Sequence, residues 1–99
     1  MIKIFISQPM KDKTDEEILL ERAEVEAKLT LEYGDDVEFI DSFMQGAPHD
    51  AKPLWFLGKS LQFLSEADAI YMCKGWEYAR GCLIEHRAAQ LYDIRIILG

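Results

Sequence analysis

The chain has 99 residues, with 11 Lys plus Arg against 18 Asp plus Glu and a formal net charge of −7. A chain this short makes one small domain and buries only about 60–65% of the surface it exposes when unfolded, so self-association would add stability. Its acidic balance argues against a nucleic acid polymer or an anionic membrane surface as partner, because the overall field repels polyanions. With hydrophobic residues at 49% and charged residues at 29%, the composition is that of a folding domain rather than a disordered one.

Cys73 and Cys82 are too few for a disulfide framework and lack a paired metal spacing, so both read as buried thiols. The opening Met1-Ile2-Lys3-Ile4-Phe5-Ile6-Ser7 is a strand pattern cut short by Gln8-Pro9, not a leader. No run approaches the ~18 apolar residues of a membrane span. A cytosolic protein is the expectation.

Ile2 to Ile6 is nearly continuous in apolar character, as in a strand covered on both faces. Thr14 and Glu17 then form a capping-box pattern that opens a helix from 15 to 33. Ile18, Leu19, Ala23, Val25, Ala27 and Leu29 supply its apolar side. Glu16, Glu17, Glu21, Arg22, Glu24 and Glu26 face water, Arg22 pairing with its acidic neighbours. Gly34 is placed to end it as a left-handed cap.

Val37 to Asp41 reads as a second, partly exposed strand, followed by a loop over 42–49 with Gly46, Pro48 and His49. A second helix starts after Asp50. Leu54, Leu57, Leu61 and Leu64 line one of its faces, and Trp55, Phe56 and Phe63 add a second apolar surface. Deeper burial would account for those aromatics; a self-association surface does so better. Ala69 to Cys73 is a third strand, 80–92 a third helix, and Ile94 to Leu98 a closing strand.

Strict alternation of strand and helix calls for a parallel sheet, because each right-handed crossover needs a helix. The expected fold is α/β, with a parallel four-stranded sheet in the order 2-1-3-4. In such sheets ligands sit beyond the carboxyl ends of the strands, where strand order reverses. Three loops meet that condition: Ser7-Gln8-Pro9-Met10-Lys11, Asp41-Ser42 and the loop after it, and Lys74 to Arg80. Asp68 lies at the opposite pole, where a helix-to-strand turn is its expected role.

Glu85 follows Gly81 and Cys82 by one turn and precedes Ala88 and Ala89 by one turn, so its neighbours are all small. A carboxylate with such low shoulders near a helix start leaves room for a ligand and can act as nucleophile or base, although a surface glutamate favoured by the helix dipole has the same spacing. His49 and His86 share no metal spacing with a carboxylate or thiol and read as surface or packing residues. Lys11 and Lys13 could hold phosphate or simply be solvated. Trp76 could stack on a base or anchor its loop.

The chain resembles the nucleoside 2-deoxyribosyltransferase-like proteins, particularly small bacterial and phage members. The resemblance is carried by Ile4-Phe5-Ile6-Ser7-Gln8-Pro9-Met10, by Ile40-Asp41-Ser42, and by Gly75-Trp76-Glu77 through Gly81-Cys82-Leu83-Ile84-Glu85 with Ala88 and Ala89. It implies a flavodoxin-like three-layer α/β sandwich, homo-oligomers whose pockets adjoin a neighbouring subunit, a nucleoside or nucleotide as the small-molecule partner, and no cofactor. It also implies that Glu85 is the catalytic nucleophile that attacks the anomeric carbon, as in the transferases and the related deoxynucleoside monophosphate N-glycosidases. Ser7, Gln8, Pro9, Met10, Asp41, Ser42, Gly75, Trp76 and Gly81 are then the expected substrate-binding residues.

Several positions depart from the family pattern. Ala79 stands where an Asp or Ser precedes the glutamate by six residues, Ile4 falls at the first-strand Tyr, and Ser60 falls near an Asp of the second helix. The Gly-rich, Arg-bearing phosphate loop of the N-glycosidases is not reproduced after Ser7. Three readings remain open: an enzyme acting on an N-glycosidic bond, a module that binds a nucleotide-derived molecule without turning it over, and a structural subunit that has lost its pocket.

Overall fold

The alternation expected from the sequence is present in a computed structural model, which describes residues 1–43 and 49–99. In chain order the elements are β1 (Ile2–Ser7), α1 (Asp15–Tyr33), β2 (Val37–Phe39), α2 (Pro53–Leu64), β3 (Ala69–Met72), α3 (Arg80–Leu91) and β4 (Arg95–Leu98). Short 3-10 turns occupy Gly34–Asp36 and Trp76–Tyr78. The sheet is all parallel in the order β2-β1-β3-β4, the flavodoxin-like α/β arrangement. Gly46 and Pro48, part of the predicted loop over 42–49, lie outside the described residues. No helix of the described residues is long and apolar enough to cross a membrane.

The two faces of the sheet carry separate cores, and the pleat of β1 and β3 assigns residues to each. Ile4, Ile6, Ala69, Tyr71 and Cys73 pack with Leu29, Val25 and Tyr33 of α1 on one face. Phe5, Ile70 and Met72 pack with Leu61, Phe63 and Leu64 of α2 and with Cys82, Ala88 and Ala89 of α3 on the other. Burial on both sides explains why these strands read as continuous apolar runs.

At its start α1 has the full capping box. The Glu17 amide donates to Thr14 Oγ1 at 3.1 Å, and the Thr14 amide donates to Glu17 Oε1 at 3.0 Å. Those hydrogen bonds to Thr14 hold the Glu17 carboxyl below its ordinary value. Thr14→Ala is expected to destabilise the domain by about 1 kcal/mol; an unchanged midpoint in urea would show that the helix start is held elsewhere.

Three local expectations need correction. The buried stripe of α1 runs through Ile18, Arg22, Val25, Leu29 and Tyr33, a spacing of three and four, whereas Leu19, Ala23 and Ala27 are exposed. Arg22 is therefore buried beneath α1 and is not paired with acidic neighbours in water. Gly34 ends α1 at φ 72° and ψ −154°, a positive-φ conformation available to glycine but not the left-handed helical one, and its amide donates to Thr30 O. On α2, Leu54 is 76% exposed and does not continue the leucine face, while Phe63 joins the core instead of a second surface.

Asp68 links the starts of β1 and β3. Its Oδ2 accepts from the Lys3 amide at 2.8 Å, and its own amide donates to Lys3 O at 2.8 Å. That places it at the pole opposite the site, where it fixes the register of the two central strands.

Candidate functional site

The alternation of β1 continues past its last apolar residue and sends two polar side chains in opposite directions. Ser7 shares the face of Phe5 and reaches α3, where its hydroxyl donates to Glu85 Oε1 at 2.7 Å. Gln8 turns to α1, where its Nε2 donates to Ile18 O at 2.7 Å and to Glu21 Oε1 at 2.9 Å. Gln8 Oε1 accepts from Arg22 Nε at 3.4 Å, and Arg22 Nη1 donates to Ser42 Oγ at 3.2 Å. Ser7, Gln8, Arg22, Ser42 and Glu85 are all buried, and they gather at the carboxyl ends of β1 and β2 beside the reversal in strand order.

Glu85 is 7% exposed and burial pushes its carboxyl above the ordinary value, while the hydrogen bond from Ser7, the nearby Ser60 hydroxyl and the charge of Arg22 pull the other way. The Arg22 guanidinium is lowered, chiefly by its own burial. The two cysteines are inert at neutral pH: burial pushes Cys73 up to about 12 and Cys82 up to about 11, although the nearby Ser7 hydroxyl pulls the latter down. Glu85 is thus the buried carboxyl of this cluster, and its desolvation favours the neutral form.

A notch of about 150 Å3 lies between α2 and α3, lined by Pro53, Leu54, Leu57, Arg80, Gly81 and Ile84. It adjoins the cluster, because Leu57 is one turn from Ser60 and Gly81 one turn from Glu85. A glycine inside a helix costs about 1 kcal/mol relative to alanine, and a Cβ on Gly81 would meet no atom within 4 Å. Packing within the chain therefore does not require Gly81. Gly81→Ala is expected to stabilise the fold by roughly 0.5–1 kcal/mol while weakening ligand binding; unaltered affinity in a titration would exclude the notch as the approach to Glu85.

A larger concavity among the described residues, about 280 Å3, lies on the other face of the sheet and includes Glu21, Glu24, Lys28, Tyr71 and Lys74. Size alone favours it, but its chemistry does not. It is an open groove, bridged where Lys28 Nζ donates to the Tyr71 hydroxyl at 3.2 Å, and its thiol, Cys73, is protonated. The notch is the better candidate because its lining residue Gly81 stands one helical turn from Glu85, a buried carboxylate held by a serine.

Other expected site residues are dispersed around this centre. Pro9 abuts Gly75, whose φ of 89° sets the turn after β3, and a Cβ there would stand 3.9 Å from Pro9 Cγ. Trp76 stacks on His86 with ring centroids 4.3 Å apart and an interplanar angle of 20°, so one of its faces is taken by the protein. Met10 and Asp41 are exposed. Lys13 pairs with Glu21 at 3.4 Å, and Lys11 and His49 are exposed.

Arg22 is the member of the cluster that reading the sequence by charge missed. Its signal was positional: it falls on the 18-22-25-29 stripe, so an ionisable side chain occupied a core position. Scanned against family models, curated proteins and solved structures, the chain matches none.

Proposed function

We propose that the protein cleaves or transfers the N-glycosidic bond of a deoxynucleoside or deoxynucleoside monophosphate, with Glu85 as nucleophile. The observation that carries this reading is a buried helix carboxylate, oriented by the Ser7 hydroxyl at 2.7 Å at the end of β1, one helical turn from the notch between α2 and α3. In the reaction a Glu85 oxygen bonds to the anomeric carbon as the bond from that carbon to the base nitrogen breaks. The base departs with the bonding electrons and takes up a proton, and water or a second base then displaces the sugar from the carboxylate. Two displacements replace one difficult step, and the carboxylate also stabilises an oxocarbenium-like transition state. No cofactor enters this scheme.

The nucleophile must be ionised, so turnover should rise with pH through a Glu85 value that burial has raised above the ordinary carboxylate range. Ser7→Ala removes the hydrogen bond that favours the charged form, and the acidic limb of the pH–rate profile is expected to move further up. A limb that stays in place would detach Ser7 from Glu85 ionisation. The direct test is incubation with a panel of deoxynucleosides and their monophosphates, with chromatography for released base.

A second reading, a module that binds a nucleotide-derived molecule and releases it unchanged, is favoured by one observation. Ala79 packs into the core beside α3, and Glu85 is the lone carboxylate among the buried polar side chains of the described residues, so none of that buried set can protonate a departing base. Thermal stabilisation by a ligand recovered intact is its signature.

The exposed Leu54, Trp55 and Phe56 supply an apolar surface at the start of α2 for homo-oligomer formation, next to the notch lined by Leu54. The two free buried thiols accord with a cytoplasmic protein.

A further inference from the structure

Arg22 is 7% exposed, and among the described residues no carboxylate forms an ion pair with it. Its acceptors are neutral, Gln8 Oε1 and the Ser42 hydroxyl, and both bonds are long at 3.4 and 3.2 Å. Its second terminal nitrogen, Nη2, is buried with no hydrogen-bond partner among the described residues. A buried guanidinium without counter-charge and with an unused donor is costly, and folded chains keep such groups where a partner completes them.

The acidic groups that influence it do not fill that place. Glu26, Asp41 and Glu85 act on Arg22 only through space, and Glu85, the other buried ionisable group of the cluster, is already engaged by Ser7. Arg22 and Glu85 thus flank the end of β1 from its two faces, joined through the adjacent residues Ser7 and Gln8.

We propose that the missing counter-charge belongs to the ligand: Arg22 is an anion-binding residue that receives a phosphate or carboxylate oxygen of the molecule held at Glu85. This rests on the reading of the buried cluster as a ligand site, and it does not require that the ligand be turned over. In the empty chain Nη2 lies beneath the surface, so the anion gains the guanidinium edge by taking the place of the Ser42 hydroxyl on Nη1. A planar fork with parallel donors suits two oxygens of one anionic group. Specificity for a charged over a neutral ligand follows, because the neutral one leaves the buried charge unmet.

The test uses the full chain and begins with thermal unfolding in inorganic phosphate, in acetate, and in sodium chloride of matched ionic strength. A saturable rise in melting temperature with phosphate or acetate, absent with chloride, is expected. The larger rise identifies a phosphate ester or a carboxylate as the natural group. Direct titration should then show 2′-deoxynucleoside 5′-monophosphates, or carboxylate-bearing analogues if acetate leads, binding at least tenfold tighter than the parent nucleosides. Arg22→Gln should erase that preference while nucleoside binding persists.

No gain over chloride, or a preference that survives in Arg22→Gln, overturns the proposal. If Arg22→Gln does not fold, Arg22→Lys and the comparison of anions on the unaltered chain decide it. Failure here is separable from failure of the glycosidic reading: a charged ligand bound tightly with no base release removes the reaction and keeps the anion site. Equal kcat/KM for nucleosides and monophosphates keeps the reaction and removes the anion site.

Discussion

Glu85→Gln should reduce base release by about a thousandfold or more, since glutamine cannot form the glycosyl ester, and it should also make the protein more stable at neutral pH. The second expectation follows from burial. The folded-state value of Glu85 lies above the ordinary carboxylate value, so the folded chain retains its proton where the unfolded chain has lost it. Stability therefore falls as pH rises from the unfolded value through the raised folded one, and the full penalty of the buried charge persists above that. Glutamine keeps an oxygen for the Ser7 hydroxyl and removes the charge. The variant's advantage should be largest at neutral and alkaline pH and vanish well below the unfolded glutamate value of about 4.3, where both states of the native residue are protonated. Melting curves of the two proteins across that range check the linkage, and chromatography on the same samples checks the chemistry. Retained base release with a normal melting curve would sink the nucleophile assignment; a variant less stable at neutral pH would mean that the Arg22 charge outweighs desolvation.

Leu29→Ala is expected to cost about 2–5 kcal/mol, the range for truncating a buried leucine. Leu29 is fully buried, and α1 alone supplies helix packing to the core on its face of the sheet. The other buried residues of α1 are Ile18 near its start and the polar Arg22, so no neighbour on the helix replaces the lost contact. For a domain of this size each kcal/mol lowers the melting temperature by roughly 4–8 °C, and the loss is a large part of the total stability. Leu31, two residues away and 88% exposed, is the matched control; Leu31→Ala should stay within about 0.5 kcal/mol. Equal effects at the two positions would contradict the assignment of the buried stripe. Because α1 also carries Arg22 and holds Gln8 through Ile18 O, a loosened α1 should disturb the Ser42 side of the site before the Glu85 side.

The sequence by itself determined the order of elements, the parallel sheet and which residues fall at the carboxyl ends of its strands. Those features follow from local pattern: capping at Thr14, continuous apolar runs in β1 and β3, and helices between successive strands. Glu85 and Ser7 were legible for the same reason, since both fall at the carboxyl-end pole. Glu85 was further marked by the small residues one turn to either side of it. Tertiary structure alone decided the partners. Charge made Arg22 look like a solvent-facing residue among glutamates, and only the packing of α1 on β1 and β2 shows it buried against Gln8 and Ser42. Leu54 and Phe63 exchanged their expected places because periodicity gives a helix an apolar side without saying how much of its length the sheet covers. Hydrophobic pattern is written along the chain, but desolvation of a charge depends on what the rest of the fold places around it.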